Sequence, residues 1–447
     1  MKSSLGHHTF TMSRRILNEE IGQMGYIRKG RTGSRSTAAN KLRDAIYRYF
    51  CNTDEIDIYV PIIGSRDWRP IKKTIMADGE LSLENSRVLK IVYKSEDRQG
   101  LSWILWYDNH SREYSEYIIE AKINPKVFIG ISDYITASNE SHLLEVERKF
   151  NDEVNKLSPL LGRFAEYKPK RIDYCINFDL RELGVTCTPM QMMRLIKRGD
   201  YSSYFQEYKY YDRISHRKKS FEHSHYLKSG SVNINCYNKY YQLKKQFPSC
   251  PSIDDAQHII RFEVQCKYRK TYMMLRLEQE QMKRERDSPS FNRKFAESNI
   301  INRSIDDPIR IIHRMLSDMM AEDIITKYFR QIVKFGDYYT LADAIKLVEA
   351  ENLTPTTEML IIDTLKIINN AGIAKTRTYM TQAGLTYFYK VMDILEKLNI
   401  NPVTIPKSYK IKHIPNLFTA YKNSMNLCRL QALHTVLHTT HWMSHTS

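Results

Sequence analysis

Apolar and polar residues alternate in three segments near the middle of the chain. These segments are Arg171–Asp179, Ser231–Lys239 and Ile259–Lys267. A period of two is typical of a β-strand that is buried on one face and polar on the other. In the third segment it places Arg261 and Glu263 together on the polar face, and the first segment repeats this spacing of an arginine and an acid. The pattern therefore predicts three strands that present arginines and acids from one sheet surface.

Further strands and helices are predicted on both sides of these three segments. Strand-like runs separated by turn residues lie at 54–63, 88–93, 101–107 and 114–123. Helical spacing of apolar residues predicts helices at 38–51, 138–157, 188–197, 240–247 and from 268 to about Arg286. Antiparallel strands with helices packed on one face indicate an α+β domain. We place that domain at residues 85–275.

The last third of the chain changes to helical periodicity throughout. Helices are predicted at 307–320, 324–335, 341–349, 355–369 and 387–398. Thr340 and Thr354 are suitable N-caps, and Pro355 takes a first helical position. Two of these helices are joined by a tight turn, as in a helix-turn-helix or winged-helix unit. A plain helical bundle fits the pattern equally well.

These patterns divide the chain into five regions. They are a basic N-terminal arm with a small extension (1–80, of which 1–45 are expected to be flexible), the α+β domain (85–275), a linker (276–300), an all-helical domain (301–425) and a flexible tail (426–447). Four tail histidines would share one face of a helix and could bind a metal, namely His434, His438, His441 and His445. An unstructured tail is favoured, because nothing nearby orients their rings.

The composition indicates a folded protein of the cytoplasm. Among 447 residues there are only 16 glycines and 14 prolines, which is typical of ordered chains. Seven scattered cysteines, several of them inside predicted strands, favour reduced thiols over disulfides. No run of 18 apolar residues predicts a membrane span, and the first residues lack the apolar core of a signal peptide.

The charge balance points to a nucleic-acid partner. There are 68 lysines and arginines against 51 acids, a formal net charge of +17. Such an excess favours a polyanion, and many of the 30 tyrosines alternate with lysine and arginine, which suits base stacking beside phosphate contacts. A basic surface that is merely solvated is the alternative.

A nickase that works through tyrosine needs three kinds of group. Acids must hold a divalent ion that polarises the scissile phosphate, and Asp173 and Glu263 could do so from two strands. A phenol must lie close to that ion as nucleophile. The candidates are Tyr237, Tyr240 and Tyr241. A basic, aromatic groove must hold single-stranded DNA, and residues 201–245 have that composition.

The same residues resemble the ordered motifs of the Rep_trans replication initiation factors. The resemblance rests on Arg171-Ile-Asp173, Tyr237-Asn-Lys239 and Arg261-Phe-Glu263, in this order and in this strand context. The family includes rolling-circle initiators of small Gram-positive plasmids, filamentous-phage initiators and relaxases of some conjugative transposons. The resemblance covers about residues 85–275.

This resemblance implies a divergent HUH-type nickase fold that uses Mg²⁺ or Mn²⁺. By position, Asp173 and Glu263 would be metal-binding acids, and Tyr237 would be the first candidate for the nucleophile. The residues implied to face phosphate are Arg171, Lys239 and Arg261.

The chain departs from the family pattern at two points. The position four after Asp173, often acidic in the family, is Asn177, and both Asn177 and Asp179 on the same face are substitute candidates for the metal. No His-hydrophobe-His pair is found, since His223-Ser-His225 has a polar middle residue.

Each candidate also has an ordinary structural interpretation. Asp173 and Glu263 could pair with arginines across neighbouring strands. Tyr240 and Tyr241 could pack a helix, and the DNA-binding candidates Arg217, Lys218 and Lys219 could form a solvated loop.

We therefore expect a replication initiator or relaxase that nicks one strand of origin DNA. It would bind single-stranded or hairpin origin DNA, and the helical region would bind duplex DNA or form a homodimer. Two alternatives remain: a non-catalytic DNA-binding protein on the same fold, and an RNA-binding or structural protein whose basicity is incidental.

Overall fold

The computed structural model describes most of the chain as strands and helices. The described residues are 2–16, 55–61, 68–74, 90–94, 99–109, 115–131, 133, 135–157, 161–201, 204–287 and 309–426. The predicted helix at 38–51 and the four tail histidines lie outside these residues.

A large antiparallel sheet dominates the described part of the chain. Its strands are β1 (Ser4–Ile16), β2 (Glu55–Pro61), β3 (Trp68–Thr74), β4 (Lys90–Lys94), β5 (Leu101–Asn109), β6 (Ser115–Ile123), β7 (Lys168–Asp179), β8 (Gln206–Glu207), β11 (Ser224–Lys228), β12 (Val232–Asn238) and β13 (Ile259–Cys266). Their order across the sheet is β3-β2-β4-β5-β6-β1-β7-β13-β12-β11-β8. Two small hairpins pair β9 (Tyr210–Asp212) with β10 (Arg217–Lys219), and β14 (Tyr338–Tyr339) with β15 (His413–Ile414). The predicted α+β class with antiparallel strands is thus confirmed.

Eleven α-helices complete the described elements. They are α1 (Pro125–Phe128), α2 (Leu143–Leu157), α3 (Pro189–Ile196), α4 (Lys239–Gln246), α5 (Tyr268–Asp287), α6 (Ile309–Met315), α7 (Asp318–Ile332), α8 (Leu341–Glu349), α9 (Pro355–Ala371), α10 (Ile373–Gln382) and α11 (Phe388–Lys397). The predicted N-caps Thr340 and Thr354 are confirmed, because each hydroxyl accepts a backbone N–H three residues later, and Thr188 caps α3 in the same way.

The three alternating segments form adjacent strands in the middle of the sheet, β7, β13 and β12. Their apolar face packs against helix α7. The Phe329 ring lies 5.6 Å from Phe178 and 5.4 Å from Phe262, measured between ring centroids. The polar face of the same strands is consequently turned away from this core.

The expectation that the first 45 residues form a flexible arm is wrong for the part described. Residues 4–16 are β1, which lies between β6 and β7 inside the sheet. Phe10 and Met12 are fully buried there. The basic residues around this segment hid its short alternation of apolar positions.

Two other expectations about the C-terminal third are corrected. The helix predicted at 307–320 is interrupted, since α6 ends at Met315 and α7 restarts behind the N-cap Ser317, whose hydroxyl accepts the Met320 N–H. Helix α10 was not predicted, because Gly372 separates it from α9 by a single residue. The turn after α9 is therefore much shorter than the pattern suggested.

The predicted linker and domain boundary also need correction. Helix α5 continues to Asp287, so residues 276–287 are helical rather than a linker. The C-terminal helices share one hydrophobic core with the sheet, and the Tyr174 hydroxyl donates a 2.5 Å hydrogen bond to the Met315 carbonyl. The described helices therefore do not form a separately packed domain. None of the described helices is long and apolar enough to cross a membrane.

Candidate functional site

Strand register arranges the polar face of the central sheet in rows. One row places Cys175 of β7 opposite Glu263 of β13, which lies opposite Asn235 of β12. The next row along β7 places Asp173 opposite Gln265. Asp173 and Glu263 are therefore diagonal neighbours on one face, a relation that brings Cα atoms to roughly 7–8 Å. The structure thus brings together the two acids that the sequence singled out.

Asp173 is held by the arginine two residues before it. Arg171 donates from Nε to Oδ1 at 2.7 Å and from Nη2 to Oδ2 at 2.8 Å. The carboxylate is 5% exposed while the arginine side chain is 43% exposed. Burial raises the pKa of Asp173 to about 7; the Arg171 hydrogen bonds oppose this rise, and the negative charge of Glu263 adds to it. The arginine that pairs with Asp173 is therefore Arg171 on the same strand, and not Arg261 on the neighbouring strand.

Glu263 accepts hydrogen bonds from three neighbouring side chains. The Gln265 amide donates to Oε1 at 2.7 Å, and the Asn235 amide donates to the same oxygen at 3.3 Å. The Tyr237 hydroxyl donates to Oε2 at 3.2 Å. The carboxylate is thus oriented from two strands and has a phenol beside it.

Tyr237 lies on the polar face, as strict alternation predicts. It is 7% exposed and pairs with Arg261 across the β12–β13 ladder. Burial, and then the charge of Glu263, raise the pKa of its hydroxyl well above the ordinary value, although the nearby Arg261 opposes this. The phenol is therefore neutral at physiological pH.

The other two tyrosine candidates belong to helix α4. Tyr241 is 48% exposed, and its ring stacks on His223 with centroids 3.4 Å apart. Tyr240 packs against a small apolar cluster that includes Leu243 and Ile259. Tyr237 is the one of the three candidates that hydrogen-bonds to either acid within the described residues.

Arg261 and Asn177 form a buried, hydrogen-bonded pair on the same face, beside the site. Arg261 is fully buried and donates to Asn177 Oδ1 at 2.7 Å and to the Ile135 carbonyl at 2.6 Å. The Asn177 amide donates to that same carbonyl at 2.5 Å. In this conformation Arg261 therefore cannot touch a DNA phosphate; it fixes the segment around Ile135 to the sheet.

Lys239, the third residue implied to face phosphate, is also buried. It is 2% exposed, and its ammonium donates to Gln242 Oε1 at 2.8 Å. Burial, with the adjacent Arg261 charge, lowers its pKa well below the ordinary value. Arg171 is thus the accessible cation among the three.

The substitute metal ligands are too far along the strand. Asp179 is six positions from Asp173, which corresponds to about 20 Å, and Asn177 is four positions away, about 13 Å. Asp179 instead caps a turn, where its Oδ1 accepts the N–H groups of Arg181 and Glu182 at 3.0 and 3.4 Å. Asp179 and Asn177 therefore cannot share one ion with Asp173.

His8 is a residue near the site that the sequence did not indicate. It is the extra residue of a β-bulge, because the β1–β7 register shifts between His7 and Thr9. Burial lowers the pKa of His8 well below its usual value, and the charges of Arg261 and Lys239 lower it further. Only the unexpected position of β1 could have revealed it.

Residues beside the two acids on the polar face reach solvent, although Asp173 and Glu263 themselves are buried, 3% and 4% exposed. Asn233, Asn235 and Gln265 are partly exposed, and Lys122 and Lys228 are exposed. Cations border this face on both sides.

A basic, aromatic arm (residues 208–222) extends from the edge of the sheet near this face. None of its residues is buried. It contains the hairpin β9–β10, so Arg217, Lys218 and Lys219 form an exposed strand and not a loop. At its base, Phe221 contacts Tyr226 of β11, and Lys228 lies 3.6 Å from the Tyr208 ring centroid.

The acids suit a hard divalent ion in part. No group of three or more His, Cys, Asp or Glu residues that could hold a metal occurs within the described ranges. Mg²⁺, however, is commonly held by one or two carboxylates together with water and substrate phosphates. Asp173 and Glu263 meet that smaller requirement once Arg171 releases Asp173.

Comparison with known proteins adds little to this picture. No family model matches the sequence, and no curated protein matches it. Among solved structures, a rolling circle replication initiator protein from Geobacillus stearothermophilus aligns at 8% identity, over 61% of this chain and 77% of that chain, with a TM-score of 0.25. A likeness this weak carries no argument about activity.

Proposed function

We propose that the protein is a DNA-binding replication initiator or relaxase of the Rep_trans type that nicks one strand through Tyr237. The observation that carries this proposal is the hydrogen bond from the Tyr237 hydroxyl to Glu263, beside Asp173 on the polar face of the sheet. A basic arm close to that face and a formal charge of +17 favour DNA as the partner.

In the proposed reaction Tyr237 is the nucleophile and Glu263 takes its proton. The phenolic oxygen forms a bond to the phosphorus of the scissile phosphodiester, and the bond from phosphorus to the 3′ oxygen breaks. Glu263 Oε2, 3.2 Å from the phenol, receives the phenolic proton, and the leaving 3′ oxygen takes a proton from water. A neutral phenol needs such a base, because its raised pKa keeps it protonated.

The remaining polar residues would hold and orient these groups. Gln265 and Asn235 fix the Glu263 carboxylate through hydrogen bonds to Oε1. A bound Mg²⁺ or Mn²⁺ would supply Lewis-acid polarisation of the phosphate, held by Asp173 and Glu263. Arg171, partly exposed, is positioned to leave Asp173 and pair with a DNA phosphate in the bound state.

Nicking of supercoiled DNA that carries the native origin tests this proposal. With Mn²⁺ we expect open circles joined to protein, and Tyr237→Phe should lower their rate by on the order of 10³-fold or more, because the nucleophile is lost. Tyr241→Phe is the matched control, since Tyr241 is exposed and has no hydrogen bond to Glu263. The measurement is gel separation of supercoiled and open circles over time.

The opposite result would reassign the nucleophile. If Tyr241→Phe or Tyr240→Phe abolishes nicking while Tyr237→Phe does not, Tyr237 is not the attacking residue. Glu263→Gln should also abolish nicking and leave the shifted band in gel retardation unchanged, because it removes the base and not the DNA contacts.

A DNA-binding protein without nicking activity is the second candidate. It is favoured by one observation: both oxygens of Asp173 are taken by Arg171. DNA binding at physiological salt without open circles in any divalent metal would support this candidate. Absence of DNA binding would leave the RNA-binding or structural alternative.

A further inference from the structure

The tip of the basic arm carries an apolar side chain in an unusual setting. Ile214 is 94% exposed at the four-residue turn between β9 and β10. Arg213 and Arg217 lie close to it in sequence, and no residue of the arm is buried. Exposure of a β-branched apolar side chain to water does not stabilise the fold. Architectural DNA-binding proteins, however, insert apolar side chains between base pairs beside cationic residues.

Hydrogen bonds and an ion pair fix the conformation of the turn. Asp212 Oδ1 accepts the Ile214 N–H at 3.1 Å, and Asp212 Oδ2 accepts the Ser215 hydroxyl at 2.6 Å. Lys219 forms an ion pair with the same carboxylate from the facing strand. His216 adopts a left-handed backbone conformation (φ 51°) that closes the turn. These contacts thus fix the backbone of the turn that carries Ile214.

The base of the arm is fixed to the face that carries the acids. Phe221 lies 5.9 Å from Tyr208, 5.1 Å from Tyr210 and 5.6 Å from Tyr226, measured between ring centroids. Tyr226 pairs with Asn235, the residue whose amide donates to Glu263. These ring contacts therefore connect the arm to the row of the sheet that contains Glu263, the proposed general base.

The dimensions of the arm suit a duplex. From Tyr208 to the tip it spans six residues, or about 20 Å if fully extended. Two-stranded ribbons enter the grooves of duplex DNA in other DNA-binding proteins, and apolar wedges are inserted from the minor groove. The arm has five lysines and arginines, Lys209, Arg213, Arg217, Lys218 and Lys219, against the acids Asp212 and Glu222. Asp212 is already neutralised by Lys219, so the outer surface of the arm is basic.

We infer that the arm binds duplex DNA and that Ile214 inserts between adjacent base pairs, opening the duplex at the tip of an arm that is anchored beside the row of the acids. This inference rests on the proposed function and adds the step that supplies a single strand. Tyr237 is only 7% exposed at the sheet surface, so a strand freed from its complement is the form that can approach it. The cations of the arm would hold the phosphates on either side of the opened step.

Permanganate oxidation of unpaired thymines tests the inference. The probe is supercoiled DNA carrying the native origin, bound in EDTA so that no strand is cut. Wild-type protein should make a short group of thymines reactive, and Ile214→Ala should lower that reactivity by about five-fold or more while retarding the DNA in gels at similar concentrations. Ile214→Leu should restore most of the reactivity, because it keeps an apolar wedge.

Leu277→Ala is the matched control, since Leu277 is an aliphatic residue of α5 that is 59% exposed. It should leave thymine reactivity at the wild-type level. Equal reactivity of wild type and Ile214→Ala, or bound DNA with no reactive thymines at all, would overturn the inference.

A second substrate separates this inference from the nickase proposal. Single-stranded origin oligonucleotides with Mn²⁺ need no opening, so their cleavage tests the sheet site alone. Opening that depends on Ile214 without cleavage of the single strand would support the arm and refute the nickase. Cleavage of the single strand, together with duplex opening that is unchanged by Ile214→Ala, would support the nickase proposal and refute the inference about the arm.

Discussion

At the scale of single residues, the sequence predicted which side chains share a face but not what each one contacts. Alternation correctly placed Asp173, Glu263 and Tyr237 on the polar side of the sheet. It could not show that Arg261 would be buried and hydrogen-bonded to the Ile135 carbonyl, because that contact depends on a distant segment. The distance from Asp173 to Asp179, in contrast, follows from strand rise alone and was available from the sequence.

Asp318 and Glu140 provide a pH-dependent contact between helix α7 and the short 3-10 turn (Glu140–His142) before helix α2. Asp318 Oδ1 accepts the Glu140 N–H at 3.0 Å, and Glu140 Oε2 accepts the Asp318 N–H at 3.3 Å. Burial, together with the Glu140 charge, raises the pKa of Asp318 to about 6. The folded state therefore holds this proton more tightly than the unfolded state does.

We expect Asp318→Asn to increase stability at neutral pH. Because the pKa of Asp318 is raised in the folded state, its favourable contribution is complete below about pH 4 and is lost as the pH rises through about 6. The amide keeps the acceptor for Glu140 and removes the charge, so the free energy of unfolding at pH 7 should rise by about 1 kcal/mol. Urea unfolding between pH 4 and 7 measures this.

The comparison variant is Asp363→Asn, at a carboxylate that is 56% exposed and paired with Lys366. Its unfolding free energy should differ little from wild type at every pH. A constant difference between Asp318→Asn and wild type across this range would contradict the assigned pKa.

At the scale of elements, strands were easier to predict than their partners. The three central strands and most C-terminal helices carry clear periodicity, so their positions follow from the sequence. Strand β1 was missed because polar residues surround its few apolar ones, and because its partners, β6 and β7, lie far along the chain. Residues that enter the site through β1, such as His8, were missed for the same reason.

The position of β1 leads to a prediction at Gly6. A Cβ atom at Gly6 would lie 1.9 Å from the Ser138 carbonyl oxygen. That oxygen accepts the His7 N–H, and the Ser138 N–H donates to the His7 carbonyl. Backbone cannot move there without disturbing the sheet, so Gly6→Ala should destabilise the protein by about 2 kcal/mol or more. Thermal unfolding followed by circular dichroism measures the loss.

Gly230→Ala is the control for that substitution. Gly230 lies in the turn before β12, and its added Cβ would meet no heavy atom within 4 Å. We expect its midpoint of unfolding to stay close to wild type. If both alanine variants unfold at the wild-type temperature, β1 does not occupy the place described.

At the scale of the whole molecule, charge was the most informative feature of the sequence. The net charge of +17 predicted a polyanionic partner, but composition could not say where the charges concentrate. The structure places five of the basic side chains on one arm, which extends from the edge of the sheet. The shared core of sheet and helices was not predictable either, because linker-like residues surround the predicted boundary.

The arm should therefore contribute a measurable share of the salt dependence of DNA binding. Replacing Arg217, Lys218 and Lys219 by glutamine should reduce the slope of log K against log salt by about 2 to 3, since each phosphate contact contributes about 0.9. Fluorescence anisotropy with labelled duplex at several salt concentrations gives this slope.

Three exposed lysines outside the arm serve as the charge-matched control. They are Lys390, Lys397 and Lys407. Glutamine at these positions should change the slope by less than about 1 if the arm is the main contact. Equal slopes for the two triple variants would show that binding is spread over the surface.

Strand β1 also sets the order in which the molecule can be assembled. Thr9 pairs with Asp173, so β1 is synthesised 164 residues before its second neighbour exists. Contacts between such remote segments slow folding, and until they form, the apolar residues of β1 and an unpaired strand edge stay exposed. A nascent chain with this topology is a natural client for chaperones, and its yield in a host should depend on how well they shield β1.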